Sequence, residues 1–529
     1  MSERHDVVVA GGGANGLIAA AALGRAGLRT LLVEREAELG GQGRTLELAP
    51  EFRAAPLGTD GGWLPPRLAR ELGLEGLVRL PNDAPLSVTT APGEFFTLWR
   101  DPGKAAEAIR RRSERDAERW PEFTRGVHAR AGFLAALYQS PAPDVDAGAD
   151  ELMPLLSLAQ RFRGLGRADM IELLRVLPMS IRELLDDTFE DPVLKAAIAP
   201  GGVIDHRQGP RSGATGYVFH HYLVGAEPGV MRGRPQWQGG SAAFTRAAEA
   251  AARRAGVTIR TGATVARVDV RDEAVTGVVL ESGETIATHR LLSTVDPRRT
   301  LLGWIDPVWL DPEFLRAVEN LRYRGCTAVV AYGLDDLPPA PGLEREGLTG
   351  VLSLTPDLDR LERAADAAKY GQVSERAHVE ITVPTIAAPD LAPPGKHVVV
   401  ARAQYAPYRL RNGDSWDATR RDRLAEAVTA SIDASIPGFA SRVRHRATWS
   451  PLDLEQQFGV TEGAPTHGEL ALDQILFMRP VPGWGHHTTP IRGLYLGGAG
   501  THPGPGILGG PGWLAARRLL SERNGKGSR

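Results

Sequence analysis

Covalent ties are almost absent from this chain: 529 residues contain one cysteine, Cys326. That excludes an internal disulfide and the Cys-pair chemistry of disulfide reductases, and it suits a reducing, cytoplasmic setting. Cys326 leads into the apolar run TAVVAYG, which marks it as a buried structural thiol rather than a nucleophile. A dominant charge is also missing. Lys and Arg number 62 against 64 Asp and Glu, a formal net charge of −2. Such a balance carries no electrostatic footprint for nucleic acid or a strongly anionic membrane. No apolar run approaches the roughly 18 residues that cross a bilayer. The N-terminus runs directly into a strand pattern, without the apolar stretch of a signal peptide. Peripheral membrane contact stays open for a lipophilic substrate. Repeats and low-complexity blocks are absent, and so is a metal-ligand pattern. Residues 199–222 carry His206, His220 and His221, but adjacent histidines diverge and Asp205 is the only acid nearby. These histidines read as loop or pocket-lining residues, and no metal is expected.

Glycine is what the chain has in quantity, and residues 6–35 use it in register. DVVVA is a short β-branched run, and Gly11, Gly13 and Gly16 follow at G-x-G-x-x-G spacing. An Ala- and Leu-rich helical segment leads to Gly27, and a second strand, TLLV, ends in Glu34. Gly11 lets the chain turn off the strand, Gly13 lets backbone approach a pyrophosphate, and Gly16 lets the helix pack on the sheet. The helix N-terminus offers free N–H groups to phosphate. Glu34 stands 18 residues past Gly16, near the spacing of about 20 at which a carboxylate meets ribose hydroxyls. The strand, helix and second strand around the glycines supply the context a dinucleotide site requires. Next comes LGGQGRT, where Arg44 can offer a guanidinium to phosphate oxygens.

From residue 65 to 191 the patterns are largely helical, as in RLARELGL, AAEAIRRRSERDAERWPEF and MIELLRVLPMSIRELLDDTF. They read as a cap, with residues 104–119 a solvated face and residues 141–150 a linker. The α/β pattern returns at Gln238: a Gly turn, an Ala-rich helix, then VTIRTGATVARVDV, AVTGVVLESGETI and HRLLSTVD. These are short strands with a turn at Ser282–Gly283, and a strand in the VARV region is expected to reach back to the first unit. CTAVVAYG, AHVEITVPT and KHVVVARAQYAPY read as strands of a further sheet, and RRDRLAEAVTASIDASI as a helix.

The C-terminus supplies the second signal. IRGLYL is a strand and WLAARRLL a helix, and residues 497–512 between them hold eight glycines. Backbone must make the contacts in such a loop, and a helix start again accepts an anion. One elongated cofactor spanning both ends, an FAD, accounts for two glycine-rich sites.

With these segments in place the sequence resembles the FAD-dependent phytoene-desaturase-like oxidoreductases of the amine-oxidase-like flavoprotein group. The matching stretches are VVVAGGGANGLIAAAALGRAGLRTLLVER, LGGQGRT, QGGSAAFTRAAEAAARRAGVTIRTGATV and GLYLGGAGTHPGPGILGGPG. The resemblance implies an α/β fold: a Rossmann-like FAD-binding domain from residues 1–75, 225–300 and 480–529. A mixed sheet-and-helix substrate domain with a helical cap would then use residues 76–224 and 301–479. It further implies that Gly11, Gly13, Ala14, Asn15 and Gly16 hold the pyrophosphate, and that Glu34 binds the ribose with Arg35 beside it. Gly43 and Arg44 should lie near the phosphates, and Val265 should meet adenine through its backbone. Gly500 and Thr501 should lie by the ribityl or phosphate, and Ile507 and Leu508 near the flavin ring. Pro505 departs from the family's glycine run and stiffens the loop.

The expected activity is desaturation of an apolar or partly apolar small molecule, with hydride passing to flavin N5 and the neighbouring proton to a base or water. No base is assigned; His502, His467 and Arg479 are candidates for the pocket. Three alternatives stand beside this reading: a reduced-FAD isomerase, an amine or amino-acid oxidase, and a flavin-binding partner protein without turnover.

Overall fold

The computed structural model describes residues 5–58, 61–142, 152–232, 236–340, 343 and 345–523. The linker expected at residues 141–150 and the polar tail fall largely outside them. Val7–Ala10 is the middle strand of a five-stranded parallel sheet. From edge to edge the strands are Leu494–Leu496, Leu291–Ser293, Val7–Ala10, Thr30–Val33 and Thr258–Arg260. Every pairing is parallel. Four of these short strands are buried, as a sheet covered on both faces requires, and the edge strand Thr258–Arg260 is partly exposed. Thr258–Arg260, not the VARV strand, reaches back to the first unit. Val265–Arg271 instead opens a three-stranded antiparallel sheet with Ala274–Leu280 and Thr285–Ala287. Helix Ala14–Arg25 lies on the parallel sheet and packs against helices Gly240–Arg254 and Gly510–Arg523. Its buried run of residues 16–23 explains why the segment lacks a polar face.

A seven-stranded mixed sheet forms the other half. Its order is Val443–Trp449, Thr327–Leu334, His397–Gln404, His378–Thr382, Val351–Ser353, Leu86–Ala91 and Glu94–Leu98. The last two strands come from the segment that reads as helical. They pair antiparallel around a turn, so two strands of sheet interrupt the cap. Helix Ala418–Ser435 packs on this sheet through Leu424, Ala425, Val428 and Ile432. Helices Pro102–Arg110 and Glu114–Leu137 replace the single charged helix face. Ser113 breaks them by accepting from the Asp116 N–H as an N-cap. Residues 215–222, within the glycine-rich stretch, form helix Thr215–Tyr222 rather than a loop. His220 and His221 point apart and are both buried. The C-terminal strand is Leu494–Leu496, and its helix starts at Gly510 with Pro511 in the first turn.

Candidate functional site

Ligands of open parallel sheets sit beyond the carboxyl ends of the strands, and this sheet follows the rule. The residues that leave three of its strands, Gly11, Glu34 and Thr294, line one cavity of about 760 Å³, and Ala499 lines it beyond the end of a fourth. The first turn depends on two glycines. Gly11 has φ +107, and a Cβ on Gly16 would lie 1.7 Å from the Gly11 carbonyl oxygen. Helix Ala14–Arg25 starts with no side-chain cap, so its first N–H groups face an anion site. Gly13 bridges to Gly40, which brings residues 40–43 to the same wall. Glu34 is oriented by two amides: Gly12 donates to Oε2 at 2.5 Å and Glu36 to Oε1 at 3.0 Å.

At the other end, residues 504–509 form the wall with Gly61 and Gly62. Trp63 N–H donates to the Gly506 carbonyl at 2.8 Å, and Leu508 N–H to the Trp63 carbonyl at 2.7 Å. Behind the loop, His221 Nε2–H donates to the Pro505 carbonyl at 2.8 Å. Its Nδ1 then accepts from Tyr138 at 2.8 Å, and Tyr138 accepts from Tyr217 at 2.9 Å. Burial pushes the Tyr217 phenol up to about 12, so it stays a donor. Asp205 and Arg402 form an ion pair on this side, with Thr327 Oγ1 donating to Asp205 at 2.9 Å.

The wall between the ends hangs on Arg479. Its guanidinium is buried and donates to the carbonyls of Thr466 (2.6 Å), Glu469 (3.0 Å), Gln474 (3.1 Å), Gly468 (3.1 Å) and Ala499 (3.0 Å). Burial lowers its pKa to about 10, which leaves it charged at neutral pH.

Gly11, Gly13, Ala14, Asn15, Glu34, Arg35, Gly43, Arg44, Val265, Ile507 and Leu508 all line the cavity. Gly16 stands behind the turn. Gly500 and Thr501 lie behind Ala499: a Cβ on Gly500 would meet Pro297 at 2.4 Å, and Thr501 Oγ1 donates to the Gly498 carbonyl at 2.9 Å. Of the candidate pocket residues, His467 lines the wall. His502 is buried against Tyr138 and bonds Ser140, its pKa pushed down to about 4 by burial. Sequence reasoning missed Thr245, Arg299, Trp304, Gln457 and Gly459, which also line the cavity. Arg299 had a findable signal, because DPRRT follows a buried strand end as Glu34 does.

Among the described residues, five buried polar atoms without a hydrogen-bond partner belong to cavity residues: Asn15 Oδ1, Arg44 Nε, Trp237 Nε1, Thr466 Oγ1 and His467 Nδ1. Each orphan costs about 1–3 kcal/mol, and their gathering around one cavity fits a polar ligand. An uncapped helix start, a carboxylate beyond the second strand and a loop of backbone at the far end together suit FAD.

The family described as flavin containing amine oxidoreductase matches residues 15–335. The chain is 33% identical to "Pyridine nucleotide-disulfide oxidoreductase domain-containing protein 2" of Rattus norvegicus, over 99% of this chain and 94% of that protein. It is 23% identical to "Phytoene desaturase (lycopene-forming)" of a Paracoccus species, over 97% of each. Among solved structures, "Cyclohexylamine Oxidase from Brevibacterium oxydans IH-35A" shares the fold, with TM-score 0.58 and 17% identity over 99% of this chain and 100% of that one. The chain belongs to the flavin containing amine oxidoreductases, and it is an oxidoreductase whose cofactor is FAD.

Proposed function

We propose that this protein dehydrogenates an apolar or partly apolar small molecule and leaves a carbon–carbon double bond. One observation carries the reading. At the C-terminal end the cavity wall is Leu57, Ile204, Tyr222, Ile507 and Leu508 with glycine backbone, and its two charged side chains, Asp205 and Arg402, are paired with each other. Such a wall favours hydrocarbon over a protonated amine, which would need an unpaired acid. Full-length likeness to a protein named as a phytoene desaturase supports the same substrate class.

Bound FAD supplies the hydride acceptor, and the protein supplies orientation and dryness. Amides at Gly13, Ala14 and Asn15 hold the pyrophosphate beyond the Gly11 turn, which Gly16 permits. Glu34 takes the ribose hydroxyls with Arg35 beside it, and the Val265 backbone takes adenine. Gly43 closes the phosphate side, and Arg44, held by Glu36 and the Gln457 carbonyl, braces the wall there. Gly500 and Thr501 support Ala499 from behind, and Ile507 and Leu508 pack the ring. The neighbouring proton passes to a base or to water, and the charged pair nearby, Asp205 and Arg402, is committed to itself. In this reading residues 1–75, 225–300 and 480–529 form the cofactor domain, and 76–224 and 301–479 the substrate and cap domain.

Anaerobic titration of the purified holoenzyme tests it. Polyenes, terpenes or long acyl chains should bleach the oxidised flavin band and yield products two hydrogens poorer. Bleaching by amines with release of ammonia would replace the reading with an amine oxidase. A product of unchanged hydrogen count would make it an isomerase. Bleaching by none would leave a flavin-binding partner protein.

A further inference from the structure

Four guanidinium groups border the cavity: Arg35, Arg44, Arg299 and Arg402. Three are committed within the protein. Arg35 donates to the Gln457 carbonyl at 2.9 Å and pairs with Glu36 at 3.0 Å. Arg44 donates to the same carbonyl at 2.8 Å, pairs with Glu36 at 2.6 Å and lies over the Phe458 ring. Arg402 pairs with Asp205. Arg299 is different: among the described residues its side chain has no hydrogen bond and no ion pair, although Asp296 lies three residues away. Asp296 is fully used. Its Oδ1 accepts from Tyr323 at 3.0 Å and from the Arg299 backbone N–H at 3.0 Å, and its Oδ2 from Thr461 at 2.7 Å. The acid thus fixes the backbone of Arg299 and leaves the guanidinium unneutralised.

A second feature keeps that guanidinium where it is. Gly459 ends helix Pro451–Phe458 in a left-handed conformation, and a Cβ there would lie 2.8 Å from Arg299 Nη1 and 3.4 Å from Arg35 Cζ. Glycine is what gives both cations room. Arg299 therefore stands unneutralised on the cavity wall beside an Arg35 already paired with Glu36, which costs free energy unless an anion joins it. On the same cavity, Gln42 donates to His467 Nε2 at 3.1 Å, and Gln42 belongs to the segment that bridges to the Gly13 turn. Burial first, and then the charges of Arg479 and Arg299, hold the His467 ring below its ordinary pKa.

We propose that Arg299, cleared by Gly459 and set beside Arg35, is the cation that meets the pyrophosphate of FAD, and that Arg44 is a strut of the wall. The sequence signal at LGGQGRT points to Arg44 for that task. In the structure Arg44 has already spent its charge on Glu36.

The test uses holoenzyme as purified. FAD release is followed by the rise in flavin fluorescence after dilution, at several salt concentrations, for wild type, Arg299→Gln, Arg299→Lys and Arg44→Gln. Arg299→Gln should release FAD at least about tenfold faster at low salt, as for loss of a charge-assisted contact, and its release rate should depend less on salt. Arg299→Lys keeps the charge and should retain most of the wild-type salt dependence. Arg44→Gln should lower the unfolding temperature while keeping that dependence. Wild-type release from Arg299→Gln overturns the proposal. So does equal loss from the Gln and Lys variants with unchanged salt dependence, which would mean packing rather than charge.

Discussion

Arg479 tolerates burial because backbone carbonyls have replaced its water, and no carboxylate pairs with it among the described residues. A charge in that position is stable only while those bonds are made. Thr466, His467 and Ala499 line the cavity, so Arg479 shapes a wall it does not itself touch. Arg479→Lys replaces a rigid five-donor fork by three donors at one point. Several buried carbonyls then go unpaired at about 1–3 kcal/mol each. The variant should lose about 3 kcal/mol or more in urea unfolding and shed FAD faster; an unchanged midpoint would show that the loop holds itself. Histidines set the response to acid. Burial holds His220 and His487 at about 3 and His502 at about 4, against the ordinary 6.5. Below pH 6.5 the unfolded chain takes up protons that the folded chain refuses, so stability falls as pH falls from 6.5 towards 4. Each histidine contributes a slope of up to about 1.4 kcal/mol per pH unit. Urea midpoints between pH 7 and 5 check this, ahead of most carboxylate titration; a flat profile there would contradict it.

Between elements, one tight joint is where helix Gly510–Arg523 crosses the start of helix Ala14–Arg25. A Cβ on Gly512 would lie 2.0 Å from the Asn15 carbonyl oxygen. Gly512→Ala must therefore push the C-terminal helix off the turn that starts the first helix. Overpacking of this kind costs about 1–3 kcal/mol. The unfolding temperature and the flavin-to-protein ratio should both drop, and a variant with full flavin content would show that the two helices slide freely. The sequence made both helices legible, because strand, glycine and helix follow one another within a few residues at each end. Other elements carry no such local signature. Leu86–Ala91 and Glu94–Leu98 sit between helical patterns and are stabilised by a distant strand, Val351–Ser353. Helix Thr215–Tyr222 starts after two glycines within ten residues, and its histidines are accommodated by Arg130 of helix Glu114–Leu137 and by Tyr138 at that helix's end. Local composition cannot report partners that far away.

At the scale of the whole molecule, what was readable was that the two glycine-rich ends meet on one cavity. Val265, Ile507 and Leu508 line that cavity. The environment of Arg299 was not readable, since it depends on Gly459 and on an acid already engaged by Thr461 and Tyr323. The strand order of the parallel sheet has one more consequence. Its middle strand is the first of the five to be made, yet the neighbour beyond residues 291–293 is Leu494–Leu496, the last of the five. At about 5–20 residues per second, the nascent glycine turn waits roughly half a minute or longer for its final wall. The cavity gains the wall of residues 504–509 only after every other residue that lines it has been made.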